Sequence, residues 1–156
     1  MTHGKRVAII QSNYIPWKGY FDIIGSVDEF ILLDTVQYTR RDWRNRNLIK
    51  TPRGPQWLTI PVEVKGNYTA PIREVHVADP TWNRQHWDTL RQNYASAPGF
   101  AAVKDQLAEL YLRRTETFLS EINFHFLSAI SAWLGIGTRL TWAHDYQVAA
   151  EGATCT

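Results

Sequence analysis

Cysteine is almost missing from this chain of 156 residues. The one thiol, Cys155, stands next to the last residue, so neither an intrachain disulfide nor a cysteine-ligated zinc site can form. That usage fits a reducing compartment. Long apolar runs are missing as well. The N-terminus, MTHGKRVAII, offers four apolar residues before polar Gln11, too few for a signal peptide. No later stretch approaches the length of a membrane span, so a cytoplasmic protein without membrane insertion is expected. No glycine pattern matches a Walker loop or a dinucleotide fingerprint. No HExxH-like spacing supports a metal, and His144–Asp145 near the end gives no ligand spacing either. The serines lack a nucleophile-elbow context. Formal charge is small, at +2, which argues against a broad electrostatic footprint.

What the chain has in abundance is aromatic side chain: 13% of residues, including seven tryptophans, more than a core of this size usually requires. Hydrophobic content of 44% and charged content of 21% place it among globular proteins, with one domain over residues 1–156. Charge is also unevenly placed. Between Gln37 and Arg53 six cations face one acid, Asp42, for a local +5, which leaves −3 on the rest. The core of that run, DTVQYTRRDWRNRNLIK, interleaves Arg40, Arg41, Arg44 and Arg46 with Gln37, Trp43, Asn45 and Asn47. Guanidinium forks match phosphate and carboxylate bidentately, and indoles stack on sugars or bases. The mixture points to a polar, anionic ligand, against the plainer reading of a solvated charged loop.

The apolar pattern predicts an α/β fold, with a Rossmann-like strand–helix–strand core and a largely helical C-terminal half. Val7-Ala8-Ile9-Ile10 reads as a buried strand, followed by the polar turn Gln11-Ser12-Asn13-Tyr14 and a helix starting near Pro16 and closing at Gly25. Phe30 to Leu33 reads as a second buried strand ending at Asp34. Polar residues thus gather at the carboxyl ends of both strands, the edge at which open α/β sheets bind ligands. Trp57 to Val64 reads as an edge strand, paired as a hairpin with Ile72 to Val77 through a turn at Gly66-Asn67. Helices follow from Thr81 to about Tyr94 and from Phe100 to Leu112, separated by Ala97-Pro98-Gly99. Thr115 to Leu134 traces a helix of nearly six turns, ended by Gly135 and Gly137, and Arg139 to Trp142 is a candidate last strand.

The candidate ligand residues are therefore Gln11, Asn13, Tyr14, Trp17 and Lys18 in the first strand-to-helix turn, with Gln37, Arg40, Arg41, Trp43, Arg44, Asn45, Arg46 and Asn47 in the basic run. A helix start with free N–H groups suits an anion; the competing reading is a structural turn with Trp17 and Tyr20 in the core. Asp34 and His86 are the candidate catalytic bases. Asp34 competes with a capping or turn role, and His86, beside Trp82 and Trp87, with a packed core histidine. His3 falls in the N-terminal tail, His76 in a strand, and His125 reads as a core or boundary histidine.

The stretches QSNYIPWKGYFDIIGSVDEFILLDTVQYTRRDWRNRNLIKT and QWLTIPV resemble the WbqC-like family, with weaker similarity at Trp82–Tyr94 and through the long helix. Members are encoded largely among bacterial surface-polysaccharide and O-antigen biosynthesis genes, and transfer of glycine to an amino sugar is one suggested role. The family's acidic pair before VQY is here Asp34-Thr35. Members also continue past the long helix, so the resemblance implies a chain short of a C-terminal segment. PWKGYFDII is similar as well to the helix start of HxGH nucleotidyltransferases, but both histidines are absent and the proline–glycine spacing is shorter.

Three expectations follow. The first is a transferase placing an acyl or aminoacyl (glycyl) group on the amine of a nucleotide-linked amino sugar. Its arginines would hold the diphosphate, Tyr14, Trp17 and Trp43 would stack, and Asp34 or His86 would take the proton. The second is a nucleic-acid binder, with tRNA as aminoacyl donor. The third is a non-catalytic sugar-nucleotide-binding protein. The sequence assigns no cofactor and no oligomeric state.

Overall fold

The computed structural model describes residues 4–146; His3 and Cys155 lie outside them. The first strand, β1 (Val7–Ile10), is followed by α1 (Lys18–Ser26) and β2 (Glu29–Leu32). β1 and β2 are parallel, and β5 (Arg139–Trp142) adds to the other side of β2, also parallel. The expected strand–helix–strand unit is present. The helix starts two residues after Pro16, with Trp17 at its cap, and runs through Gly25 to Ser26. Gly25 therefore does not close it.

The register puts Ala8, Phe30 and Leu140 side by side, and likewise Ile10, Leu32 and Trp142. Successive strand residues face opposite sides, so these six share one face. They pack with Tyr20, Phe21 and Ile24 of α1 and with Leu127 of α4 (Leu119–Trp133). The opposite face is covered only in part. Val7 is 44% and Ile9 is 55% exposed, so β1 is not the buried strand its apolar run predicts. Glu29 and Thr141 on that face are buried, with Thr141 Oγ donating to Glu29 at 3.0 Å and Lys5 paired with the same carboxylate.

A second core lies beyond α4. It is built by the hairpin of β3 (Arg46–Thr51) and β4 (Gly54–Thr59), by α2 (Trp82–Tyr94) and by α3 (Phe100–Leu112). Leu119, Ile122 and Phe126 face this core while Leu127 faces the sheet, so α4 is the shared wall.

Three sequence expectations change here. The hairpin is not Trp57–Val64 with Ile72–Val77. The end of the basic run, Arg46–Thr51, becomes β3 and pairs antiparallel with β4 around Pro52-Arg53, while Arg40, Arg41 and Arg44 lie in the turns before it. Gly54, at φ 108, supplies the left-handed residue that closes so tight a turn. The expected pairing survives as a single bridge, Val62 with Val77, because Ile72–Glu74 coils into a 3-10 turn. His76 accordingly sits in a bridge to Phe118. That bridge also shortens α4, since Phe118 is extended and its backbone is drawn into pairing before the helix begins. At the other end Gly135 (φ 72) stops α4 with a Schellman pair: Gly135 N–H donates to Ala132 and Ile136 N–H to Ser131.

Candidate functional site

The turn after β1 is tied down in an unusual conformation. Ile15 has φ 41, a left-handed value costly for a β-branched residue ahead of proline, of order 1–3 kcal/mol. Its carbonyl is held by the Asn47 amide of β3. Tyr14 N–H donates to the Trp43 carbonyl at 3.1 Å. These bonds clamp the turn onto the arginine run and open a cleft of 340 Å³ lined by Asn13, Pro16, Trp17, Trp43 and Asn47.

Trp17 is 70% exposed and Trp43 47% exposed, so both indoles offer area to a ligand. The Trp17 ring folds back onto Gly19, where an added Cβ would lie 2.0 Å from it. Glycine in a helix interior costs up to about 1 kcal/mol against alanine; at position 19 its smallness is what admits the ring. Behind the cleft, the Arg44 guanidinium donates to Asn13 Oδ1 and, at 3.2 Å, to Gln11 Oε1. Asp42 stands 3.5 Å away on the same guanidinium. No side chain caps the start of α1.

Not all expected ligand residues meet here. Gln11, Asn13, Trp17, Trp43, Arg44 and Asn47 come together. Lys18 instead lines a shallow groove with Phe21 and Asp22. Gln37 and Arg40 belong to a separate hollow with Tyr68, whose ring lies 4.5 Å beneath the Arg40 guanidinium. Arg41 is exposed at φ 57. Arg46 lies 4.1 Å over the Trp57 ring. Asn45 is buried and donates to the Ile60 carbonyl at 2.8 Å, a fold contact. Pro16 and Trp57 were missed; Trp57 reads from sequence as an ordinary edge-strand residue, with no local signal of its place beside Trp43.

Tyr14 is corrected outright: it is no stacking platform, because its ring is buried in the second core against Trp82 and Phe126. Its hydroxyl meets His86 Nδ1 at 2.9 Å and the Tyr111 hydroxyl. His86 Nε2 lies 3.0 Å from the Thr59 carbonyl, which can only accept. The order of donors follows. Nε2–H donates to Thr59, Nδ1 accepts from Tyr14, and Tyr14 accepts from Tyr111. Burial pushes the imidazole down to about 4, with the Thr59 carbonyl opposing it, so His86 stays neutral. Burial also pushes both phenols up and keeps them protonated. Both His86 nitrogens are engaged.

Asp34 is fully buried too. Its Oδ1 accepts from Ser12 N–H at 2.9 Å and its Oδ2 from Ser120 Oγ. Ser120 Oγ in turn accepts from Trp142 Nε1 at 3.0 Å. Asn123 Nδ2 reaches both Ser12 Oγ and the Arg44 carbonyl at 2.9 Å. The carboxylate thus gathers the ends of β1 and β2 with α4, and it lies outside the cleft lining. Among the described residues no group of His, Cys, Asp or Glu gathers as a metal site, and no helix is long and apolar enough to cross a membrane.

The WbqC-like protein family model matches residues 11–154, which takes in the turn, the cleft, the hairpin and α4. The chain belongs to the WbqC-like family. It is also similar to an uncharacterized protein of Mycobacterium tuberculosis, 53% identical over 150 residues. That match covers 96% of this chain and 64% of the relative's length. No solved structure matches. Within this WbqC-like chain, the quoted QSNYIPWKGYF segment is the one that builds the cleft turn and the start of α1.

Proposed function

We propose that the cleft holds the sugar of a nucleotide-linked amino sugar, and that the protein serves bacterial glycan biosynthesis. One observation carries this reading. Two exposed indoles, Trp17 and Trp43, line a 340 Å³ cleft together with the amides of Asn13 and Asn47. Indole faces cover the apolar face of a sugar ring. Asn13, with its Oδ1 taken by Arg44, keeps its Nδ2 for a hydroxyl, and Asn47 serves as wall, its amide spent on Ile15 and Leu48. Arg44 behind Asn13 and the uncapped start of α1 favour an anionic substituent.

Transfer of an acyl or aminoacyl group to the sugar's amine is the reaction class that the family resemblance implies. The reading rests on binding, because both oxygens of Asp34 and both nitrogens of His86 are occupied inside the fold. The proton acceptor for such a transfer is therefore assigned to neither of them.

The test is a thermal-shift titration with UDP-, GDP- and dTDP-linked sugars, amino sugars included, against bare nucleotides. A ligand at a hundred times its Kd stabilises the native state by about 2.7 kcal/mol. One sugar-nucleotide series should raise Tm, and Trp17→Ala should weaken it about tenfold with the unliganded Tm unchanged. Trp17 suits this test better than Arg44, whose side chain also holds the turn. No shift with any sugar nucleotide, or equal shifts in wild type and Trp17→Ala, would sink the assignment.

A further inference from the structure

The cleft uses only one side of the arginine run. The other side is the outer face of the β3–β4 hairpin. Register pairs Arg46 with Thr59, Leu48 with Trp57 and Lys50 with Pro55, so these six residues share one face. Leu48 is 42% and Trp57 41% exposed, which makes it the outward face. Trp57 is not isolated there. Its ring lies 5.4 Å from that of Trp43, tilted by 50°, and carries the Arg46 guanidinium at 4.1 Å. Arg41, Lys50 and Arg53 are exposed around this pair. The acid of the run, Asp42, is already engaged by Arg44 at 3.5 Å and by Trp43 N–H at 2.7 Å.

We propose that this outer hairpin face binds single-stranded nucleic acid. The chemistry matches in two independent ways. Arg41, Lys50 and Arg53 present exposed cations for a phosphate backbone, joined by the charge of Arg46, which lies on Trp57 and donates to the Arg41 carbonyl. Trp43 and the uncovered part of Trp57 present adjoining ring surfaces for bases. Such pairing of a basic track with stacking rings is sequence-tolerant and requires unpaired bases, so a duplex fits it poorly. The local charge is +5 between Gln37 and Arg53 while the rest of the chain carries −3. Of the six cations in that stretch, Arg41, Arg46, Lys50 and Arg53 belong to the hairpin side, while Arg40 lies over Tyr68 and Arg44 sits behind the cleft. The two sites share Trp43 but are otherwise distinct, because Trp57, Lys50 and Arg53 are not among the cleft-lining residues and Trp17 is not part of the hairpin face.

The experiment is fluorescence anisotropy of the full chain with labelled single strands of about a dozen nucleotides. RNA and DNA are run as separate arms, beside a duplex of equal length and vesicles of phosphatidylserine in phosphatidylcholine. Three or four phosphate contacts should weaken single-strand binding about 20- to 50-fold between about 50 and 200 mM salt. Trp57→Ala should weaken it by about tenfold, the loss of one stacked base. Lys50→Glu with Arg53→Glu, both exposed, should flatten the salt dependence without moving Tm. Trp17→Ala should leave strand binding unchanged. Tighter binding of RNA than DNA names RNA as the ligand, and the reverse names DNA; either supports the face. Four results overturn it: no binding at low salt, duplex binding as tight as single strand, binding to vesicles only, or strand binding that responds to Trp17→Ala and ignores Trp57→Ala.

Discussion

His86 takes up a proton far less readily in the folded chain than in the unfolded one, and acidification should make that difference measurable. The unfolded imidazole titrates near 6.5 and the folded one near 4, because burial withholds water from the charged form. Above 6.5 both states are neutral and the fold keeps its full stability. As the pH falls below 6.5, the unfolded chain binds a proton that the folded chain refuses, so stability declines. The limiting slope is about 1.4 kcal/mol per pH unit. Between pH 7 and 5 the expected loss is about 2 kcal/mol, rising to about 3 kcal/mol near pH 4, a large share of a typical 5–15 kcal/mol. Urea midpoints across this range, for wild type and for His86→Gln, isolate the effect. Asp28 and Asp79, both held below their usual values by hydrogen bonds, lose their contribution only in more acid solution. His125 shifts in the same direction as His86, but it is present in both proteins and cancels in the difference. The stability advantage of wild type over His86→Gln should shrink by about 2 kcal/mol from pH 7 to pH 5. Two curves that run parallel over that interval would refute the reasoning, and with it the donor order of the Tyr111–Tyr14–His86 chain.

Two further outcomes are expected. Asp34→Asn turns an amide N–H₂ toward a group that already donates, Ser12 N–H or Ser120 Oγ, and should destabilise by about 2–3 kcal/mol in urea while leaving the cleft's lining residues in place; a change under 0.5 kcal/mol would mean the carboxylate does not gather these strands. Gly19→Ala should hold or slightly raise Tm through helix propensity yet displace the Trp17 ring, seen as a change in tryptophan emission and weaker sugar-nucleotide binding; unchanged emission would place the ring elsewhere.

Much of this architecture was legible because its signals are local. Val7–Ile10 and Phe30–Leu33 are short β-branched or apolar runs, and Ala97-Pro98-Gly99 separates two helices at the expected place. Gly135 ends α4 as its position suggests. The β3–β4 hairpin was not legible, because polar Asn47 stands on the inner face with Ile49 and Leu58 while apolar Leu48 and Trp57 stand on the outer one, which erases the alternation. Thr115–Phe118 continues the apolar helical period, yet Phe118 is claimed by a bridge to His76, forty-two positions away in sequence. The site divides in the same way. Gln11, Asn13, Trp17, Trp43 and Arg44 announce themselves by composition. The removal of Tyr14 to the core does not, since its partners His86 and Tyr111 lie 72 and 97 residues away.

Asn47 belongs to both halves of the arginine run. Its backbone pairs within the hairpin, while its side chain lines the cleft and holds the strained Ile15 carbonyl. A shift of β3 that moved this side chain would release one of the bonds that clamp the Ile15 turn, the other being Tyr14 N–H to the Trp43 carbonyl. The cleft turn and the hairpin are therefore joined through one side chain. By thermodynamic linkage, whatever a ligand on one of them does to the affinity of the other is returned in equal measure.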